Sequence, residues 1–298
     1  MNLARLPGDW SLRVRRDEPM SKHTSWHVGG PADIYFEPHN ADDLAAFLRS
    51  LPAEVPVTWL GLGSNLLVRD GGIRGAVIAT QGALDRIDRV SETRVYCEAG
   101  VPCARLAKLC IKWGLGPAEF FGGIPGTLGG ALAMNAGAFG GETWRHVAEV
   151  DMIARDGRRL TRTPAEFTIG YRKVVGPANE WFLAARLEFE KKTSAGDDEL
   201  RQLLARRKET QPIGEWSCGS VFTNPAGDHA ARLIDSAGLK GLRVGDASVS
   251  TKHANFIINN GAASAADIEK LITDVQAAVE RAHHVHLEPE VRIVGERA

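Results

Sequence analysis

Two glycine-rich runs are the stretches of this 298-residue chain whose residue types and spacing point first to chemistry. One is Gly61-Leu62-Gly63-Ser64-Asn65. The other is Phe121-Gly122-Gly123-Ile124-Pro125-Gly126-Thr127-Leu128-Gly129-Gly130-Ala131, continued by Asn135-Ala136-Gly137-Ala138. Glycine lets the main chain approach a ligand closely, and successive N–H groups form a nest for an anion. Ser64 and Thr127 add hydroxyl donors, and the small residues after the second run would wall a flat ligand. Either run alone reads more readily as a structural turn. The pair, each beside apolar strands, reads as a site for the diphosphate of a dinucleotide. A Rossmann fingerprint is excluded, because Leu66 stands where the third glycine belongs and a strand rather than a helix follows. A Walker loop is excluded because no Gly-Lys-Ser/Thr is present.

Other reactive side chains are less informative. His284, His286 and Glu288 imitate a metal cluster, but His-x-His spacing alone is common, and we expect no metal. Cys97, Cys103, Cys110 and Cys218 form no Cys-x-x-Cys pair, which leaves buried, reduced thiols as the reading.

The elements that must position these groups follow from the apolar periodicity. Strands are expected at 33–37, 57–60, 66–68, 76–80 and 94–99, with a helix capped by Asn40 whose Leu44, Phe47, Leu48 and Leu51 share one face. A second helix covers 102–113 and stops at Gly114. The glycine-rich region 122–141 follows. Asp156-Gly157 joins strands 147–154 and 158–161 in a hairpin, and 181–190 is a long strand. The polar stretch 191–198 marks a boundary. Beyond it come helix 199–210, strand 220–223, helix 229–237 ended by Gly238, strands 247–250 and 254–259, a helix from Ser264 to His283, and strand 291–294.

The chain is long enough for about two domains. Its net charge of −1 gives no basic field for nucleic acid or an anionic membrane. No run approaches the ~18 apolar residues of a membrane span, and Met1 to Trp10 lacks the pattern of a signal peptide, so a cytoplasmic protein is expected.

An ordered set of motifs resembles UDP-N-acetylenolpyruvoylglucosamine reductases. It comprises His23-Thr24-Ser25, Val28-Gly29-Gly30-Pro31-Ala32-Asp33, Gly61 through Val68, Gly123 through Ala131 and Met134 through Ala138. Tyr171-Arg172, Gly219 through Pro225, Ala237 through Gly241, Lys252 through Phe256 and Leu287 through Arg292 complete it. The resemblance covers about Pro19 to Gly295. It implies an α+β fold: an FAD-binding part shared with flavin oxidases, made of two αβ subdomains, and a C-terminal αβ substrate-binding domain. The implied division is 1–192 for FAD, 193–286 for substrate, and 287–298 as a strand packing back toward the flavin site. Non-covalent FAD, NADPH as reductant and UDP-N-acetylglucosamine enolpyruvate as substrate are also implied, with UDP-N-acetylmuramate as the product, for peptidoglycan synthesis in the cytoplasm.

On this resemblance the cofactor falls to Gly61, Gly63, Ser64, Asn65, Leu66, Gly123, Ile124, Gly126, Thr127, Gly130, Asn135, Ala136 and Gly137. Hydride passes from reduced flavin to the vinyl methylene, and charge builds on the adjacent carbon and its carboxylate. Arg172 resembles the arginine that meets this charge, and Ser220 the serine that protonates the carbon. Glu290 resembles the catalytic glutamate, as acid, orienting group or enolate stabiliser. Tyr171, Arg206, Asn224, Lys240 and His253 match substrate-binding positions, and glutamine can stand at the last of them.

Three departures concern phosphate contacts: Thr223 where relatives often carry lysine, Lys173-Val174 after Tyr171-Arg172, and no lysine in Thr210-Gln211-Pro212. The short stretch from Arg172 to Glu199 leaves no room for the tyrosine-bearing insertion of the longer family type, so the chain looks like the shorter type. Two alternatives stand beside this reading. One is a flavin oxidase of the same fold acting on a sugar or alcohol; the other is an inactive nucleotide-sugar-binding regulator.

Overall fold

The computed structural model describes residues 13–192 and 197–298. The N-terminal decapeptide and residues 193–196 of the expected boundary lie outside them. Seven strands come first: β1 (Val14–Pro19), β2 (Pro31–Phe36), β3 (Val57–Leu60), β4 (Leu66–Val68), β5 (Ile73–Ala79), β6 (Ile87–Arg89) and β7 (Arg94–Glu98). The chain divides into two compact units, and both are interleaved in sequence.

The first unit takes residues 13–16, Ile34–Gly61 and Gly75–Ala205. A four-stranded sheet runs in the order β1-β2-β5-β3, with β3 parallel to β5. Helix α1 (Ala41–Ser50) starts where Asn40 leaves helical geometry and its side chain accepts the N–H groups of Asp42 and Asp43, at 2.9 Å each. Its apolar stripe, Leu44, Phe47 and Leu48, packs with Phe36, Ile78 and Leu183.

A second core in this unit lies on a five-stranded antiparallel sheet ordered Arg159–Arg162, Val147–Ala154, Glu180–Glu188, β7, β6. Alternation along its strands turns Val95, Cys97, Val150, Met152, Ala185 and Leu187 inward. Helix α2 (Cys103–Lys112) adds Cys103, Leu106 and Cys110 to that core.

The second glycine run departs from the expected loop. Its latter part enters helix α3 (Leu128–Met134), which buries Leu128, Ala131 and Leu132 at helical spacing. Each helical glycine costs about 1 kcal/mol relative to alanine. Burying two leucines offsets this at roughly 2 kcal/mol each.

The second unit takes Asp17–Asp33, Leu62–Arg74 and Arg206–Ala298. Helix α4 (Asp197–Thr210) ends in it; α5 (Ala230–Ser236) and α6 (Ala265–His283) lie within it. Ile268, Leu271, Ile272, Val275 and Val279 of α6 bury against Trp26, Val221 and Phe222. Ser264 and Asp267 form a reciprocal cap at the start of α6. Asp70 reinforces it by accepting Ala265 N–H and Ala266 N–H at 3.0 and 2.9 Å.

A three-stranded antiparallel sheet joins Arg243–Val244, Ala247–Val249 and Ile257–Asn259, and β4 pairs in parallel with Arg292–Val294. Residues 220–223 are not the expected strand: only the Phe222–Pro289 bridge is formed there. The strand expected at 254–259 begins only at Ile257, because Ser250 Oγ accepts Lys252 N–H and His253 N–H and holds the preceding residues in a turn.

Candidate active site

In the first unit the glycine run is anchored from beneath. Leu128 N–H and Gly129 N–H donate to the carbonyls of Val101 and Ala99, at 2.9 and 2.8 Å, and Gly126 O accepts Cys103 N–H. Those two N–H groups are therefore committed within the protein. What the run exposes is different. Thr127 is buried, yet its Oγ1 has no hydrogen-bond partner among the described residues. A Cβ on Gly61 would stand 2.4 Å from that oxygen, whereas a Cβ on Gly130 would meet nothing within 4 Å. A buried hydroxyl lacking a partner is costly. Beside backbone with no side chain in front of it, it fits a polar, phosphate-bearing group. Gly123, Ile124 and Gly126 carry the turn into this hydroxyl.

Asn135 ends α3 in the left-handed conformation, with φ +47°. Its amide is used internally: Nδ2 donates to Gly170 O at 3.1 Å, and Oδ1 accepts Trp144 N–H at 3.1 Å. Its main chain is engaged as well: its N–H closes the end of α3 and its carbonyl accepts Arg172. Gly170 closes a hairpin absent from the sequence reading, Thr168–Gly170 against Lys173–Val175, with Tyr171 and Arg172 at its tip. Arg172 has φ +53°, and its guanidinium donates to Asn135 O at 3.4 Å and Gly137 O at 2.8 Å. It also lies 5.3 Å from the centre of the exposed Tyr171 ring. The wall of small residues and the arginine are thus one piece of structure.

In the second unit, Gly63 is required by its surroundings. Its φ is +70°, and a Cβ there would stand 2.0 Å from His23 O. Ser64 and Leu66 flank Asn65, whose Nδ2 donates to Glu290 O at 3.0 Å and whose own carbonyl accepts Arg292 N–H at 3.1 Å. Glu290 N–H in turn donates to Val221 O at 2.7 Å. The segments that carry Ser220 and Glu290 are therefore joined through the Val221 carbonyl. Ser220 is half-buried, and Gly219 before it, at φ +72°, has open space where a side chain would be.

The candidate substrate residues of this unit differ in their freedom. Asn224 Oδ1 accepts Ala230 N–H at 3.1 Å and so holds the start of α5. Lys240 pairs with Asp235 at 2.7 Å. Thr223 Oγ1 donates to Glu288 O at 3.3 Å. His253 is half-buried, its ring against Phe256, and its Nδ1 has no partner among the described residues. Burial, aided by the charge of Lys240, pushes its pKa down.

Arg206 is exposed. The neighbouring Arg207 is the desolvated one: its pKa is lowered by burial, and its Nε donates to Gln211 at 2.8 Å. Sequence reading missed it, although Gln211 at i+4 signals a shared helix face. His284 ends α6 at φ +56°, and His286 faces Glu280 at 3.3 Å.

The comparisons agree with the motifs. Residues 32–162 match a family described as FAD binding domain, and residues 211–294 match the UDP-N-acetylenolpyruvoylglucosamine reductase C-terminal domain. A UDP-N-acetylenolpyruvoylglucosamine reductase of Alkalilimnicola ehrlichii is 59% identical, over 95% of each chain. One from Methylococcus capsulatus is 57% identical, over 94% of this chain and 92% of its own. The crystal structure of a UDP-N-acetylenolpyruvylglucosamine reductase from Thermus caldophilus superposes with a TM-score of 0.81 at 34% identity, covering 94% of this chain and 98% of that one.

Proposed function

The chain belongs to the UDP-N-acetylenolpyruvoylglucosamine reductase family, and from that premise we propose how its residues share the work. It is an FAD-dependent oxidoreductase that reduces UDP-N-acetylglucosamine enolpyruvate in peptidoglycan synthesis. In this reading NADPH is the reductant, UDP-N-acetylmuramate the product and the cytoplasm the compartment. Among the described residues no helix is long and apolar enough to cross a membrane.

FAD, when bound, supplies the hydride that reaches the vinyl methylene. Its diphosphate is assigned to Gly61, to Gly123, Ile124 and Gly126 of the turn, to the orphan hydroxyl of Thr127 and to the open backbone at Gly130, with the small wall of Asn135, Ala136 and Gly137 beside it. Gly63, Ser64, Asn65 and Leu66 keep their cofactor assignment on the resemblance. The functional division remains FAD for 1–192 and substrate for 193–286. Residues 287–298 return to the first glycine run, a role supported by the pairing of Arg292–Val294 with β4.

The chemistry left to the protein is charge and proton management. As hydride arrives, the vinyl π pair moves onto the adjacent carbon and its carboxylate. Arg172, a permanent cation oriented by two carbonyls, meets that carboxylate. The Ser220 hydroxyl then donates its proton to the carbon, completing the C–H bond, and the resulting alkoxide is reprotonated from Glu290 or water. Serine is a weak acid, so the step needs a strongly basic acceptor and fixed geometry; an enolate is the first. The observation that carries the assignment is the Val221 carbonyl shared by the Ser220 and Glu290 segments. Tyr171, Arg206, Asn224, Lys240 and His253 are assigned to the nucleotide sugar.

NADPH consumption that depends on UDP-N-acetylglucosamine enolpyruvate tests the whole reading. Oxygen-dependent turnover of a sugar or alcohol without NADPH would favour the oxidase instead. Ser220→Ala should leave flavin reduction by NADPH intact and slow flavin reoxidation by substrate. Equal loss in both half-reactions would remove the proton-donor assignment.

A further inference from the structure

The segment bearing Ser220 lies in no sheet, so its main-chain hydrogen bonds must come from elsewhere. On one side they come from the 288–291 stretch. Glu290 N–H and Val291 N–H donate to Val221 O at 2.7 and 3.3 Å, and Thr223 N–H donates to Glu288 O at 2.9 Å. On the other side three bonds come from one residue, Asn255. Its carbonyl accepts Val221 N–H at 2.9 Å, its Oδ1 accepts Phe222 N–H at 3.0 Å, and its Nδ2 donates to Phe222 O at 2.8 Å. Asn255 is 4% exposed and Phe222 2% exposed, so water does not substitute for the amide. A primary amide that presents one acceptor and one donor to the N–H and C=O of a single residue imitates an adjacent strand. Here it holds a segment that no strand holds.

We propose that Asn255 is the positioning residue for the Ser220–Glu290 pair: its amide holds both main-chain groups of Phe222 and its carbonyl holds Val221 N–H, and through Val221 the segments that carry Ser220 and Glu290 keep their register. The inference rests on Ser220 as the proton donor. Asn255 itself neither touches substrate in this scheme nor carries a proton. Both of its side-chain amide groups are spent on Phe222, and the residue is 4% exposed. The amide is therefore not part of the nucleotide-sugar set.

Asn255→Asp tests this, because it retains the acceptor for Phe222 N–H and loses the donor for Phe222 O. A carboxylate buried there faces a carbonyl and is pushed toward its protonated form, which restores a donor. The expected result for the holoenzyme is flavin reduction by NADPH within about twofold of the parent. Flavin reoxidation by UDP-N-acetylglucosamine enolpyruvate should be slowed by about tenfold or more at pH 8, since small misplacements of a reacting group cost this much. The ratio to the parent should recover as pH falls, and the solvent isotope effect on reoxidation should rise.

In a Ser220→Ala background the same substitution should cost nothing further. Where Asn255→Asp yields too little folded holoenzyme, Asn255→Gln keeps both amide groups and shifts them, and the same split between half-reactions is expected. Reoxidation unchanged by either variant, or both half-reactions falling together, overturns the inference. If Ser220→Ala itself leaves reoxidation untouched, the donor reading fails first, and the two failures are told apart.

Discussion

In the first unit the guanidinium of Arg172 is gripped by the main-chain carbonyls of Asn135 and Gly137, whereas in the second unit the main chain beside Ser220 is gripped by the side chain of Asn255. The ligand surface of the first unit is made largely by omission. Gly61 and Gly130 leave space, and the Thr127 hydroxyl beside Gly61 lacks a partner among the described residues. The second unit builds by addition: Asn65, Asn255 and Asn224 each commit a side-chain amide to main chain. Backbone held by backbone tolerates change in side chains but not in glycines. Backbone held by an amide is sensitive at that amide.

Arg172→Ala is the strongest way to break this contrast. A permanent charge aimed at developing charge is worth about 10²–10³-fold in kcat, and a loss of that size is expected in NADPH consumption at saturating substrate, with flavin content unchanged. If flavin is lost together with activity, the two carbonyls hold the arginine for folding, and the contrast fails. Gly61→Val comes next. Its Cβ would stand 2.4 Å from Thr127 Oγ1, so that hydroxyl must move. At least a tenfold weakening of FAD binding is expected, about 1.4 kcal/mol, read from a flavin titration of the apoprotein. Unchanged FAD affinity would detach Thr127 from the cofactor.

The contrast also explains what was legible in the sequence. Asn40, Gly114, Asp156-Gly157 and Ser264 act locally, and each stands where its cap, stop or turn was expected. Gly61 and the run around Thr127 were visible because glycine clusters advertise backbone exposure. The FAD identity and the roles of Arg172, Ser220 and Glu290 came from the resemblance, not from spacing. Residues 220–223 read as a strand because Val221 and Phe222 are apolar and buried, but their partner is an amide 33 residues on in the chain. Periodicity cannot see such a bond. Nor could it see the hairpin carrying Arg172, whose largely exposed strands are tied by Asn135 and by half-buried Val174.

Glu269 sharpens the comparison through stability. It bonds Arg69 through both oxygens at 2.9 Å and Arg297 at 3.0 Å, so it ties the end of β4 to the C-terminal residues. The hydrogen bonds and charge of Arg69, then Arg297, hold its pKa down at about 2. Because the folded pKa lies below the unfolded value of about 4.3, the contribution is complete above that value and is lost as pH falls toward 2. Glu269→Gln should therefore cost about 1–2 kcal/mol of unfolding free energy at pH 7, partial solvent screening included. The difference should shrink steadily below pH 4 in denaturant titrations. A difference that persists at pH 3 would mean packing, not charge, joins these segments.

His253→Gln carries the smallest expected effect and addresses the one candidate substrate residue with an unpartnered buried nitrogen. Burial lowers its pKa from the ordinary 6.5, so the ring is neutral at pH 7 and above and serves by hydrogen bonding. Glutamine offers a donor and an acceptor of similar reach, and kcat/KM at pH 8 should stay within about threefold of the parent. The sign of the pH effect follows from the lowered folded pKa. As pH falls below 6.5, unfolded chains take up the proton before folded ones do, so the parent loses stability that the glutamine variant retains. Tm measured at pH 8 and at pH 5.5 should thus drop further for the parent than for His253→Gln. Equal drops would show that a charged ring is tolerated beside Lys240, and His253 would then be free to pair with an anionic group of the substrate.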